Sequence, residues 1–295
     1  MKQNIKLKKI CIHLCLSAVS FFLFFSSSSF AQIAVTNSAP LLKRTTYKTE
    51  NIDFGAGGTI SIVGAPTGSI TVEGWQKAEV EIKVEVEVQA ANEKDLALLA
   101  QINTFIVDED FRHIRVETVG TYDKNYMKRA AKKIPKNLLN MPFRVDYYIK
   151  VPAFCDLQID GGRGDLNLSK VEGAVQIKVL ESNAKLNLVG GTLTATIGSG
   201  NVDITIPTSI WRGGNADVQL AKGNMNVYFP QNLNANVNAS VLRTGQIENS
   251  YKFLKPREQR AGFTGKSIAA KSGNGGATLS FTVGDGTLKL GAFEN

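Results

Sequence analysis

The feature that most constrains this chain is a run of short alternating strands punctuated by glycine, from Leu157 to Ile206. Asp165-Leu166-Asn167-Leu168, Val175-Gln176-Ile177-Lys178-Val179, Lys185-Leu186-Asn187-Leu188, Leu193-Thr194-Ala195-Thr196-Ile197 and Val202-Asp203-Ile204-Thr205-Ile206 follow one another, each too short to fold alone. Leu186 and Ile204 are separated by the same interval as Val175 and Leu193, and Leu166 and Leu186 by a slightly longer one. At the shorter interval Val171-Glu172-Gly173 returns as Val189-Gly190-Gly191. Repeating strands with one apolar face each cannot bury that face singly, but they can by stacking. The pattern predicts an all-β fold, a single-stranded β-solenoid of the β-helix kind with about 18–20 residues per coil.

The N-terminus reads as targeting sequence. Lys2, Lys6, Lys8 and Lys9 form a basic region, Ile10 to Phe25 an apolar one, and Ser29-Phe30-Ala31 a cleavage pattern. Residues 1–31 are therefore expected to be a signal peptide, residues 32–50 a linker or first edge strand, and residues 51–295 one domain. Cys15 lacks the small residues that precede a lipidated cysteine, and no later stretch reaches the roughly 20 apolar residues of a membrane span. The expected compartment is periplasmic, outer-membrane-associated or extracellular. Cleavage removes four lysines and no acidic residue, so the formal charge falls from +8 to +4. It also removes Cys11, Cys15 and His13. Cys155 then has no disulfide partner and reads as a buried thiol, while His113 is left as one strand histidine opposite in parity to Ile114 and Val116. Neither a multi-histidine zinc site nor any other cofactor is expected.

Before the ladder, Thr59 to Val63 and Ser69 to Val72 flank the turn Gly64-Ala65-Pro66-Thr67-Gly68 and predict a first coil. Val80, Ile82, Val84, Val86 and Val88 alternate with Glu79, Glu81, Lys83, Glu85 and Glu87, a half-buried strand whose acidic stripe reads as a solvated face. Asn92, with Asp95 three positions on, begins a short covering helix near residues 92–103 with Leu96, Leu99 and Ile102 on one face. Strands follow at Phe105 to Val107 and His113 to Val119, around a turn at Asp108-Glu109-Asp110. After the ladder, Asp217 to Leu220, Gly223 to Phe229 and Ala235 to Ala239 continue the rungs, and Tyr251 to Lys271 forms a second basic excursion.

The segment from Tyr122 to Arg144 departs from its surroundings. It is a basic insertion carrying Lys124, Lys128, Arg129, Lys132, Lys133, Lys136 and Arg144 against Asp123 alone, interspersed with Tyr122, Tyr126, Met127 and Phe143. A basic, aromatic-containing loop or short helix engages anionic lipid headgroups or acidic polymers by charge and partial insertion. Lys124, Lys128, Arg129, Lys132, Lys133 and Lys136 are the candidate binding residues. The expected partner is an anionic envelope polymer, lipid headgroups or another envelope protein; nucleic acid is excluded by the exported context and the lack of a recognised motif. Asp165, Lys185 and Asp203 sit at outward positions on successive coils, where a hydrolase on a β-helix would carry its acids, but every solenoid face bears such residues. Arg163-Gly164-Asp165 is read as a turn. No catalytic, metal-binding or cofactor-binding residue is assigned.

Val145 to Pro152, then Leu157 to Leu168 with its Gly-Asp-Leu-Asn-Leu, then Val171-Glu172-Gly173 and the rungs to Ile206 resemble the bacterial "putative adhesin" domain of unknown function, a β-solenoid of secreted and envelope proteins. The resemblance spans roughly Thr59 to Leu290. It implies the fold and the compartment, and of function only the label of adhesion; the reading of the whole sequence is a non-enzymatic adhesin or interaction scaffold, with a carbohydrate-active enzyme or a self-assembling structural protein as alternatives. No catalytic residue carries over from the family, and the segment from Tyr122 to Arg144 is longer than it leads one to expect.

Overall fold

In a computed structural model, residues 40–55, 57–110, 112–130, 134–258 and 262–293 are described, all within one compact unit. The expected signal peptide lies outside them. The chain is an all-β solenoid whose coils each contribute a strand to one parallel ladder, turn a corner, and contribute a second strand to another. Side chains of one parity fill the space between the ladders.

The regular coils are β8 (Asp156–Arg163) with β9 (Leu166–Ser169), β10 (Ala174–Glu181) with β11 (Ala184–Asn187), and the continuous β12 (Thr192–Thr205) and β13 (Ala216–Phe229). Leu157, Val175 and Leu193 stand in register, as do Leu168, Leu186 and Ile204. The offset between these coils is 18, the same that joins Asn183 to Asp165 and Asn201 to Asn183. Leu166 and Leu186 are not register partners, because Leu166 faces Ala184. The step from β12 to β13 is longer, an offset of 23 between Asn201 and Asn224. Here residues 206–215 make a wider return that buries Trp211, whose Nε1 donates to the Gly191 carbonyl at 2.9 Å.

The corners explain the glycines. The chain turns sharply while parallel strands hold successive coils about 4.8 Å apart, so a corner Cα points at the next coil. Gly200 (φ +128°) and Gly223 (φ +135°) occupy this position, and a Cβ there would sit 1.9 Å from the Ser182 carbonyl oxygen and 1.8 Å from that of Gly200. The next residue at each corner forms an amide ladder. Asn183 donates to Asp165 at 3.3 Å, Asn201 to Asn183 at 3.4 Å and Asn224 to Asn201 at 3.4 Å, and the Thr287 amide donates to Asn224 at 3.2 Å. The Arg163-Gly164-Asp165 tripeptide is one such corner, with Arg163 paired to Glu181 at 3.2 Å.

Both ends depart from chain order. The closing strands β18 (Thr278–Asp285) and β19 (Leu288–Ala292) do not follow β14 (Ala235–Val241) and β15 (Ile247–Asn249) in the stack; they lie between that coil and β13. Ala216 therefore pairs with Leu279, at the same offset of 63 that joins Asn224 to Thr287. Outside β14 run the antiparallel β17 (Ser267–Ser272) and the short β16 (Lys255–Pro256), so the second basic excursion covers the C-terminal end. Tyr251 and Leu254 anchor this cover; the Tyr251 hydroxyl donates to the Pro230 carbonyl at 2.6 Å.

At the other end, the first coil, β2 (Thr59–Val63) and β3 (Ile70–Trp75), lies against β8 and β9 on one side. On its other side stand β6 (His113–Val119) and β7 (Phe143–Pro152), which form the outermost parallel coil. Antiparallel strands finish both ladders: β5 (Thr104–Asp110) on β6, and β4 (Glu79–Ala90) then β1 (Leu42–Asp53) on β7. The expected turn at Asp108 to Asp110 is instead the end of β5, since pairing with β6 extends the strand through Asp110.

Helix α1 (Glu93–Ile102) packs on β4 and β1 with Leu96, Leu99 and Ile102 buried. Asn92 caps it by accepting from the Asp95 amide at 2.9 Å. The acidic stripe of β4 is neutralised on the surface by Lys77, Lys43, Lys83 and Lys150.

Candidate functional site

The corner between β6 and β7 is where residues 120–142 are inserted. Its two ends are clipped together: Tyr122 stacks on Phe143 with ring centroids 5.7 Å apart, and its hydroxyl donates to the Thr118 carbonyl. Burial of that hydroxyl pushes its pKa up to about 12. The buried Asn103 accepts from the Thr121 amide at 3.0 Å, tying the insertion to the end of α1. Asp123 then accepts from the amides of Asn125 (2.8 Å) and Tyr126 (3.1 Å) and starts helix α2 (Lys124–Ala130).

On α2 the half-buried Tyr126 and Met127 face the body of the protein while Lys124, Lys128 and Arg129 are exposed. Lys124 and Lys128 share a face by their spacing of four. No carboxylate is ion-paired with these three among the described residues. Lys132 and Lys133 fall outside the described residues. Lys136 is exposed on a separate single turn, Lys136–Leu138, anchored by the buried Leu138. Arg144 belongs to β7 and is committed to Asp146 at 2.7 Å. The structure thus brings three of the six candidate cations onto one helix and sets Lys136 apart.

Beside α2 the corners form a groove of about 900 Å³. One wall is a register row across the coils, Glu117, Val63, Asp160, Lys178 and Thr196. Val63, Ala65, Pro66, Val179, Leu180 and the backbones of Gly64, Gly161, Gly162 and Gly198 make the floor, and Tyr122 to Asn125 overhang one end. Of the acids at its rim, Glu117 is paired with Arg115 at 3.0 Å and Asp123 is engaged at the start of α2, while Asp160 is the register partner of Lys178. Apart from Tyr122 to Lys124, in the basic segment, nothing in the sequence marked these residues as a group, because they come from separate coils. The one signal was Leu180, an apolar residue one step beyond the alternation of β10, which is 62% exposed.

Other candidate chemistry is dispersed. His113 is exposed, with Nε2 2.8 Å from Ser61 Oγ, which in turn lies 3.1 Å from Gln158 Oε1. Ser61 is buried in a strand paired on both sides, so the amides around it are consumed by the ladders and do not form an oxyanion hole. Lys185 and Asp203 are register partners, but Asp165 is not in their row; Asn167 is, because Asp165 belongs to the corner ladder. Cys155 is buried, and burial together with Asp156 raises its thiol to about 12. Among the described residues no group of three or more His, Cys, Asp or Glu could hold a metal ion, and no helix is long and apolar enough to cross a membrane.

Residues 23–291 match the family model described as Toastrack DUF4097. Among solved structures the chain is similar to a "putative cell adhesion protein" of Clostridium sporogenes, 11% identical, covering 85% of this chain and 100% of that one with a TM-score of 0.46. It is also similar to "putative adhesins" of Bacteroides fragilis (12% identical, 83% and 97% covered, TM-score 0.28) and Parabacteroides merdae (12%, 83% and 96%, TM-score 0.29). No curated protein matches it. The chain belongs to the Toastrack DUF4097 family.

Proposed function

We propose that this member of the Toastrack DUF4097 family is a non-enzymatic interaction scaffold of the cell envelope, exported by residues 1–31, with the solenoid from β1 onward acting as one binding domain. The observation that carries the reading is the expanded corner, where Lys124, Lys128 and Arg129 stand exposed on a helix fixed to the solenoid, with no ion-paired carboxylate among the described residues. Lone cations on a rigid support suit an extended anionic surface better than a small substrate. The partner is an anionic envelope component, drawn to the corner by charge.

Cosedimentation of the purified protein with envelope fractions across a salt series tests this, beside a variant with Lys124, Lys128 and Arg129 changed to glutamine. Binding that weakens with salt and is lost in the variant is the expected result; equal binding by both proteins overturns it.

A second reading, self-assembly, is favoured by β1, a long strand paired only with β4 among the described residues. Sedimentation velocity over a concentration range distinguishes it, since self-assembly requires mass that grows with concentration in the absence of any envelope component.

A further inference from the structure

We infer that the groove beside α2 holds the hydrocarbon chain of a single-chain anionic lipid, with its head against Lys124. This rests on the proposed function, since it assigns a ligand to the same expanded corner.

Three observations point to hydrocarbon. The floor is apolar and partly uncovered: Leu180 is 62% exposed, and Val63 and Val179 are only partly covered. Backbone groups on the floor are already used within the solenoid: the Gly64 amide donates to the Asp160 carbonyl, and the Pro66 carbonyl accepts from the Arg163 amide. An extended peptide would find no ladder to join, whereas an alkyl chain needs none. The length also fits. The wall row crosses from β6 through β2, β8 and β10 to β12, four steps of about 4.8 Å or ~19 Å. One acyl chain spans half of a bilayer's hydrocarbon core, about 15 Å.

Charge sets the orientation. Lys124 lines the end of the groove under α2, and Lys128 lies one helical turn further on. Asp123, the acid at that end, accepts from the Asn125 and Tyr126 amides, while Lys124 and Lys128 stand exposed to a ligand. At the middle of the wall stands the exposed Lys178, whose methylene stem suits an alkyl chain. A lipid head at Lys124 and a tail running past Pro66 and Leu180 toward Gly198 satisfies both ends.

The test uses the protein as purified, a fluorescent long-chain fatty acid, and phosphatidylglycerol vesicles. Leu180→Glu places a charge in the groove at an exposed position. Leu242→Glu, equally exposed at 65% on the corner after β14 and outside the groove, is the control for folding and net charge. Saturable uptake by the wild type, weakened at least roughly tenfold in Leu180→Glu as loss of a leucine-sized apolar contact requires and unchanged in Leu242→Glu, supports the inference. No uptake, or equal loss in both variants, overturns it. Vesicle sedimentation separates this from the underlying reading: if wild type and Leu180→Glu sediment alike while the Lys124, Lys128 and Arg129 variant does not, and no fatty acid is taken up, the groove is not a lipid site but the cationic surface stands. If no form sediments with anionic vesicles and none takes up fatty acid, both fall.

Discussion

Gly223→Ala gives the sharpest test of how the coils are held. Gly223 has a φ of +135°, and an added Cβ would lie 1.8 Å from the Gly200 carbonyl oxygen and 2.9 Å from its carbon. Alanine in such a backbone conformation costs about 1–3 kcal/mol. Relieving the overlap requires parting two coils by more than an ångström at the corner, which weakens the ladder bonds on either side. Two such bonds at about 1 kcal/mol each add ~2, for about 3–5 kcal/mol altogether. At roughly 2–4 °C of Tm per kcal/mol for a domain of this size, the expected drop is ~6–20 °C. The control is Gly265→Ala, where nothing lies within 4 Å of the new methyl and φ is not in the left-handed region; it should change stability by less than about 0.5 kcal/mol. Chemical denaturation followed by circular dichroism measures both. Hydrogen exchange adds where the damage lies, since a repeat protein transmits it mainly to neighbouring coils. Equal stability of the two variants would refute the account of corner glycines.

Ile177→Ala should lose about 2–5 kcal/mol as a fully buried core truncation, whereas Leu180→Ala, two-thirds exposed, should lose little; unfolding midpoints that match would contradict the placement of β10. Removing the α1 cap with Asn92→Ala should cost about 1 kcal/mol, visible as faster amide exchange in Glu93 to Asp95. Arg243 and Thr244 hold the Asp285 carboxyl well below the usual carboxylate range. Its folded pKa is depressed, so its contribution is full above about 3.9 and fades as pH falls through the folded value; an NMR titration of Asp285 with a midpoint near 4 would show that the clasp is not formed. The Cys155 thiol, raised to about 12, contributes stability that is full below about 8.5 and lost as pH climbs toward 12. It should resist a thiol reagent at neutral pH until the protein unfolds, and prompt labelling of native protein would count against its burial.

What could be read from the sequence was the coil, and what could not was the order of coils. The equal offsets between Val175 and Leu193 and between Leu186 and Ile204 appear directly as register pairs because those coils are consecutive. Leu166 misled, since Leu186 looks like its partner until the corner is known to set the register against Ala184. The distant pairing of Ala216 with Leu279 had no local signal: short alternating strands are interchangeable to a parallel neighbour, and only tertiary packing chooses among them. Gly200-Asn201 and Gly223-Asn224, with Gly164-Asp165, would have disclosed the corner ladder had they been aligned with one another. The basic segment was visible as composition, yet the groove beside it was not. Its wall takes one residue from each of five strands, and its floor depends on Leu180, an apolar residue at a position that alternation gives to solvent.

The closing coil acts as a keystone in time as well as in space. Ribosomes deliver β13 and β14 before β18 and β19 exist, so the place between them is filled only once β18 and β19 emerge. The C-terminal third is therefore held incomplete during synthesis, whereas β8 to β13 can zip up in the order they appear. A chain lacking β18 and β19 would carry every residue of β14 and β15 and still leave them without their parallel neighbours, so a deletion confined to two short strands undoes a coil encoded upstream of them.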